Sequence, residues 1–223
     1  MGGFHRGVLR DLGYDVTTVD PNPAAGADHL RLPSRRFDVV CIAAPIEHLA
    51  DEAAQWVGHE GWLLVEKPFA STLPDARVLA EQFTGQRVAV GYVERFNPQV
   101  RRLGELLYRE KVESVVFYRH NPRPSPNVGL DLQSHDIDIS AFLGLTCSVK
   151  YESFAGGGRI RMRMVLLSRR YGADLIVDLM AHDTSPLHAQ WHAFLSGRPG
   201  YATPADAVHV LRVLELQRLP AAA

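Results

Sequence analysis

Between residues 37 and 92 the chain carries three short, near-continuous apolar runs: FDVVCIA (Phe37–Ala43), GWLLVE (Gly61–Glu66) and RVAVGY (Arg87–Tyr92). A strand with one wet face alternates polar and apolar residues. These runs do not, so each reads as a strand buried on both faces. Ile46–Val57, Leu73–Phe83 and Pro98–Arg109 separate or follow them, with apolar residues at helical spacing. Leu73-Pro74-Asp75 is a helix start, since proline is tolerated in the first turn. Asp15–Asp20 (DVTTVD), between Gly13 and Pro21, reads as a further short strand. Buried strands that alternate with helices of about a dozen residues predict an α/β fold with a parallel, doubly wound sheet.

From Val112 the pattern changes. Glu113–Tyr118, Ser148–Phe154, Ile160–Ser168 and Ala173–Leu179 read as strands of an antiparallel sheet, and Arg159–Val165 alternates as a half-exposed strand does. Gly156-Gly157-Gly158 fits a hairpin turn, and the proline-rich stretch 121–127 a loop. Helices over Ser185–Leu195 and Thr203–Leu219 close the chain. Two units follow: residues 1–111, and a smaller α+β unit, residues 112–223, with an open, mostly antiparallel sheet.

A chain of 223 residues, 46% hydrophobic, is large enough to bury a core without staples. A net charge of −1 argues against a dedicated nucleic-acid or anionic-membrane binder. The longest apolar run, Val39–Ile46, is too short to span a bilayer, and the first residues have no apolar signal core. Cys41 and Cys147, both in apolar surroundings, read as buried thiols of a reducing compartment. The expected location is cytoplasmic.

Three motifs could carry chemistry. Glu66-Lys67-Pro68 ends a buried strand, where ligands bind in doubly wound sheets. The chain has three lysines against 21 arginines, so a lysine at a strand mouth suggests a group that titrates; the alternative is a Glu66–Lys67 surface pair. The second motif is Asp131-Leu132-Gln133-Ser134-His135-Asp136-Ile137-Asp138. Four residues apart, Asp131 and His135 share a helix face and would form a general-base pair. Asp136 and Asp138 read as charges or caps at a helix start. A metal site on His135 and the aspartates is the competing reading, but no second histidine motif supports it, and no metal is expected. The third is Asp20, placed to bind ribose hydroxyls and so to favour NAD over NADP; alone it is equally a turn-forming Asp before Pro21. Gly91–Pro98 (GYVERFNP) is polar at a strand end and suits a cleft wall, and His48 follows Pro45 by three residues near another strand end. His182, His188 and His192 read as surface or interface residues.

Together these residues resemble the Gfo/Idh/MocA family of sugar, sugar-nucleotide and cyclitol dehydrogenases. The resemblance rests on EKP (Glu66–Pro68), GYVERFNP (Gly91–Pro98), the D-x-x-x-H-D-x-D segment (Asp131–Asp138) and YATPADAVHVLRVLE (Tyr201–Glu215), and spans nearly the whole chain. The ERFNP form resembles a branch with UDP-N-acetylglucosamine 3-dehydrogenase-like and inositol 2-dehydrogenase-like members. The resemblance implies a Rossmann domain that binds NAD(P) and a second domain whose sheet forms a homodimer or homotetramer. It implies hydride transfer between nicotinamide and a carbinol carbon of a small carbohydrate. Lys67 would contact the reacting oxygen, with His135 as general base and Asp131 in support. Gly2, Asp20, Pro45, His48, Glu66 and Lys67 would line the cofactor site, and Tyr92, Arg95 and Asn97 the substrate site.

The family's opening strand and G-x-G-x-x-G turn have no counterpart. Gly2 aligns with the last glycine, and the second domain is trimmed between Arg119 and Asp131. The expectation is therefore a chain short at its N-terminus. The alternative is a non-catalytic relative, a ligand sensor or partner subunit, that lacks a full phosphate loop.

Overall fold

The computed structural model describes residues 1–157 and 160–218, Arg218 by its backbone alone. The three apolar runs form β1 (Val39–Ile42), β2 (Trp62–Val65) and β3 (Arg87–Val90), a parallel sheet in the order β1-β2-β3. The intervening helices are α2 (Ile46–Ala54) and α3 (Leu73–Gln82). The Thr72 hydroxyl caps α3 by accepting from the Asp75 N–H at 3.3 Å. Helix α1 (Gly2–Asp11) precedes the sheet, and α4 (Pro98–Arg109) leaves it.

Asp15–Asp20 does not form the expected strand. It makes one parallel bridge, Val19 to His29, with the Asp20 N–H donating to the His29 carbonyl at 3.1 Å. A strand exists only by sharing its hydrogen bonds with a neighbour, and β1 pairs with β2 alone.

The second sheet contains β4 (Val112–Asn121), β5 (Ser148–Ala155), β6 (Met162–Arg169) and β7 (Leu175–Asp178), in the order β5-β4-β6-β7. Two pairings are antiparallel; β4–β5 is parallel, because the segment between them carries a π-helical turn (Gly129–Gln133) and α5 (Ser134–Phe142) as a crossover. The expected glycine hairpin does not join β5 to β6 as neighbours, since β4 lies between them. His120, at the end of β4, lies 2.6 Å from the Ile160 carbonyl and 3.3 Å from that of Gly156. Gly158 and Arg159, and the expected helix end at Leu219, lie outside the described residues.

The last two helices return to the first sheet. Helix α7 (Pro204–Arg218) buries Ala207, Val210, Leu211 and Leu214 in one core with Leu63, Val65, Val88 and Val90. Helix α6 (Pro186–Leu195) covers the opposite face, where Trp191 and Phe194 pack with Leu64, Ala89 and Leu9. A boundary between residues 111 and 112 therefore separates the two sheets but not the packing. Cys41 and Cys147 are free and half-buried rather than fully buried. Among the described residues no helix is long and apolar enough to cross a membrane.

Candidate active site at the carboxyl end of the parallel sheet

Strand β2 delivers Glu66 and Lys67 to the sheet's carboxyl edge. In the turn beyond, Phe69 is fully buried at φ 80°, a conformation that costs a side-chain-bearing residue about 1–3 kcal/mol. Lys67 is the meeting point of the two units. Its Nζ donates to the Asp131 carbonyl at 2.6 Å and to Asp131 Oδ1 at 3.2 Å. Burial lowers the Lys67 pKa, while the carboxylates of Asp131 and Glu66 oppose that shift.

His135 lies one turn beyond Asp131, and its ring meets the buried Tyr92 ring edge-on, with centroids 6.2 Å apart. The expected Asp131–His135 pair does not form. Asp131 sits in the π-helical turn and gives its carboxylate to Lys67, while His135 Nδ1 is buried without a partner. Burial, then the charges of Lys67, Arg119 and Arg163, hold the His135 pKa well below its ordinary value. His135 is thus biased toward the neutral imidazole, and the Lys67 amine is held by the Asp131 carboxylate.

Asp136 does lie in the first turn of α5, as read, but neither it nor Asp138 is a solvated helix-start charge or cap. Both are buried and paired: Asp136 accepts from Arg119 Nε at 3.0 Å and Nη2 at 2.6 Å, and Asp138 from Arg95 Nε at 2.9 Å and Nη2 at 2.6 Å. Glu94 continues this network, accepting from Arg163 at 2.6 Å, Arg119 at 3.4 Å and the Asn97 amide at 2.9 Å. Tyr92, Arg95 and Asn97, read from sequence as substrate contacts, are therefore interior residues; Asn97 also donates to the Leu179 carbonyl at 2.8 Å. The GYVERFNP segment is a polar joint between the sheets, not a cleft wall.

Glu66 is likewise turned inward. Its Oε1 accepts from His5 Nε2 at 2.8 Å and its Oε2 from the Lys67 N–H at 3.1 Å. The Trp191 indole N–H donates to His5 Nδ1 at 3.0 Å. Since Nδ1 accepts, His5 carries its proton on Nε2, and a relay Trp191→His5→Glu66 ties α6 and α1 to the base of Lys67. Gly91 leaves room for it: a Cβ there would stand 2.8 Å from the Glu66 carboxyl carbon. Sequence reasoning missed His5, Trp191, Arg119 and Arg163. A histidine one turn into α1 was the visible signal for the first.

Gly2 opens α1, and a Cβ on Gly2 or Gly3 would meet nothing within 4 Å. The Phe4 and His5 N–H groups there both donate to the Met1 carbonyl, at 2.8 and 3.3 Å. Pro45 and His48 are exposed at the start of α2, beyond β1. Asp20 accepts from the Asn22 N–H at 2.8 Å in the turn before the proline pair. His5 in α1 reaches Glu66 at the sheet's carboxyl edge, and α2 begins just beyond β1.

The sequence matches no family model and no curated protein. Solved structures do match. The UDP-N-acetylglucosamine 3-dehydrogenase GnnA from Acidithiobacillus ferrooxidans aligns over 97% of this chain and 92% of its own at 17% identity, TM-score 0.79. The WlbA dehydrogenase from Thermus thermophilus, solved with NAD and UDP-GlcNAcA, aligns over 98% and 91% at 17% identity, TM-score 0.77. The scyllo-inositol dehydrogenase from Lactobacillus casei, solved with NAD(H) and scyllo-inositol, aligns over 88% and 86% at 11% identity, TM-score 0.72. The fold is that of the Gfo/Idh/MocA dehydrogenases. The EKP and D-x-x-x-H-D-x-D segments of this chain meet at Lys67 and Asp131.

Proposed function

We propose that the chain is an NAD(P)-linked oxidoreductase that moves a hydride between nicotinamide and a hydroxyl or keto carbon of a sugar, sugar nucleotide or cyclitol. One observation carries the reading: Lys67 at the mouth of β2 is held by Asp131 at 2.6 and 3.2 Å, next to the neutral base His135. The bound nicotinamide would accept the hydride from the carbinol carbon. As a neutral imidazole His135 would accept the hydroxyl proton, and the Lys67 ammonium would stabilise the negative charge that develops on the oxygen. The α1 N-terminus, Asp20, Pro45 and His48 would hold the dinucleotide. Asp20 has no arginine beside it in sequence to neutralise a 2′-phosphate, so NAD is the preferred form.

The test is a titration with NADH followed by fluorescence, then turnover on sugar nucleotides and cyclitols by wild type, Lys67→Ala and His135→Ala. Binding below about 1 mM is expected, with turnover reduced about 10²–10⁴-fold in each variant. Absence of binding, or unchanged turnover, overturns the reading.

The assembly belongs to the same reading. On the open face of the second sheet Ile176, Leu166 and Val116 lie in register across β7, β6 and β4, and Phe154 and Ile176 are 58% and 66% exposed. Such a face is suited to a homodimer, or a homotetramer built from it. Leu166→Glu should shift the protein to a smaller species in size-exclusion chromatography; an unchanged elution volume rejects the interface. The two unbridged cysteines accord with the reducing cytoplasm as its location.

A further inference from the structure

A cavity of about 480 Å³ lies between the start of α4 and the length of α6, and shares no lining residue with the Lys67 site. Arg101 from α4, His188 and His192 from α6, and Arg198 beyond α6 line it. His188 and His192 are four residues apart and so share one helix face. No acidic residue lines the cavity, and none of these four side chains has an ion-pair or hydrogen-bond partner among the described residues. That sets them apart from Arg95, Arg119, Arg163 and Arg169, each of which reaches a carboxylate. Phe96, with the alanines of α6, supplies an apolar wall. Two arginines that line one cavity without a carboxylate repel each other unless a counter-ion joins them.

We propose that this cavity is a second ligand site, distinct from the Lys67 cleft, and that it binds a small phosphate-bearing metabolite. The paired arginines supply forked N–H donors that match phosphate oxygens, and the histidines add donors from the facing helix. The apolar wall takes the organic part of the ligand. The proposal does not depend on the oxidoreductase reading.

Pyrophosphate is the probe, followed through the His188 and His192 ring C–H signals in NMR, with chloride at equal ionic strength as control. Wild type and Lys67→Ala should both show saturable shifts. Arg101→Gln/Arg198→Gln, at two exposed positions where the fold is not at stake, should bind about tenfold more weakly or worse. Shifts that chloride reproduces, that never saturate, or that persist unweakened in the double variant overturn the site. Loss of the shifts in Lys67→Ala would move the binding to the cleft and overturn it equally.

Discussion

Asp131 is the residue on which the site's charge state turns. Burial lowers the Lys67 pKa and the Asp131 carboxylate opposes that. Asp131→Asn removes the opposing charge, so the lysine pKa falls further and the limb of the kcat/KM profile that needs the ammonium moves to lower pH. A profile that overlays the wild type would remove Asp131 from this role. His135 supplies a second pH effect. Its folded pKa is depressed, so the neutral form's contribution to stability is present above the unfolded value of roughly 6.5 and is lost as pH falls through the folded value. Urea unfolding from pH 7 downward should show a smaller acid-side loss in His135→Gln than in wild type; equal losses would assign the effect elsewhere.

At the scale of elements, the relay Trp191→His5→Glu66 decides how α1, β2 and α6 meet. His5→Ala leaves a buried carboxylate short of a donor and a buried indole N–H without an acceptor, at about 1–3 kcal/mol for each orphaned group. Trp191→Phe removes one donor and leaves His5 bonded to Glu66, so its hydrogen-bond loss is about 0.5–1.5 kcal/mol. Urea midpoints should rank His5→Ala as the more destabilised; the reverse order would reduce the relay to packing. The arginine–carboxylate joint is stronger still. Arg119→Met strands Asp136 and deprives Glu94 of one partner, with an expected loss of about 3–5 kcal/mol. Of these elements the strands and helices were legible in the sequence, because periodicity is local: α4 spans Pro98–Arg109 as read, and the other helix ends move by a few residues. Asp15–Asp20 and the glycine hairpin were not, since each depended on which strand lies alongside.

At the scale of the whole molecule, the C-terminal helices make the first sheet dependent on the last residues of the chain. Leu64 and Ala89 are covered by α6, and Leu63, Val65, Val88 and Val90 share a core with α7. Unfolding should therefore be one transition, with tryptophan fluorescence and far-ultraviolet circular dichroism coincident in urea. Two separated transitions would show that the sheets fold independently. The sequence by itself determined the fold class, the place of Lys67 at a strand mouth and the segments that supply Asp131 and His135, because strand burial and strand ends leave local patterns. Only the tertiary structure decided which partner each charge takes. Asp131 went to Lys67 rather than His135, and Asp136, Asp138 and Glu94 went to arginines, Arg95 among them, which the sequence placed at the substrate. A buried charge pairs with whatever opposite charge the packing brings within about 3 Å, and that proximity is set by chain segments far apart in sequence.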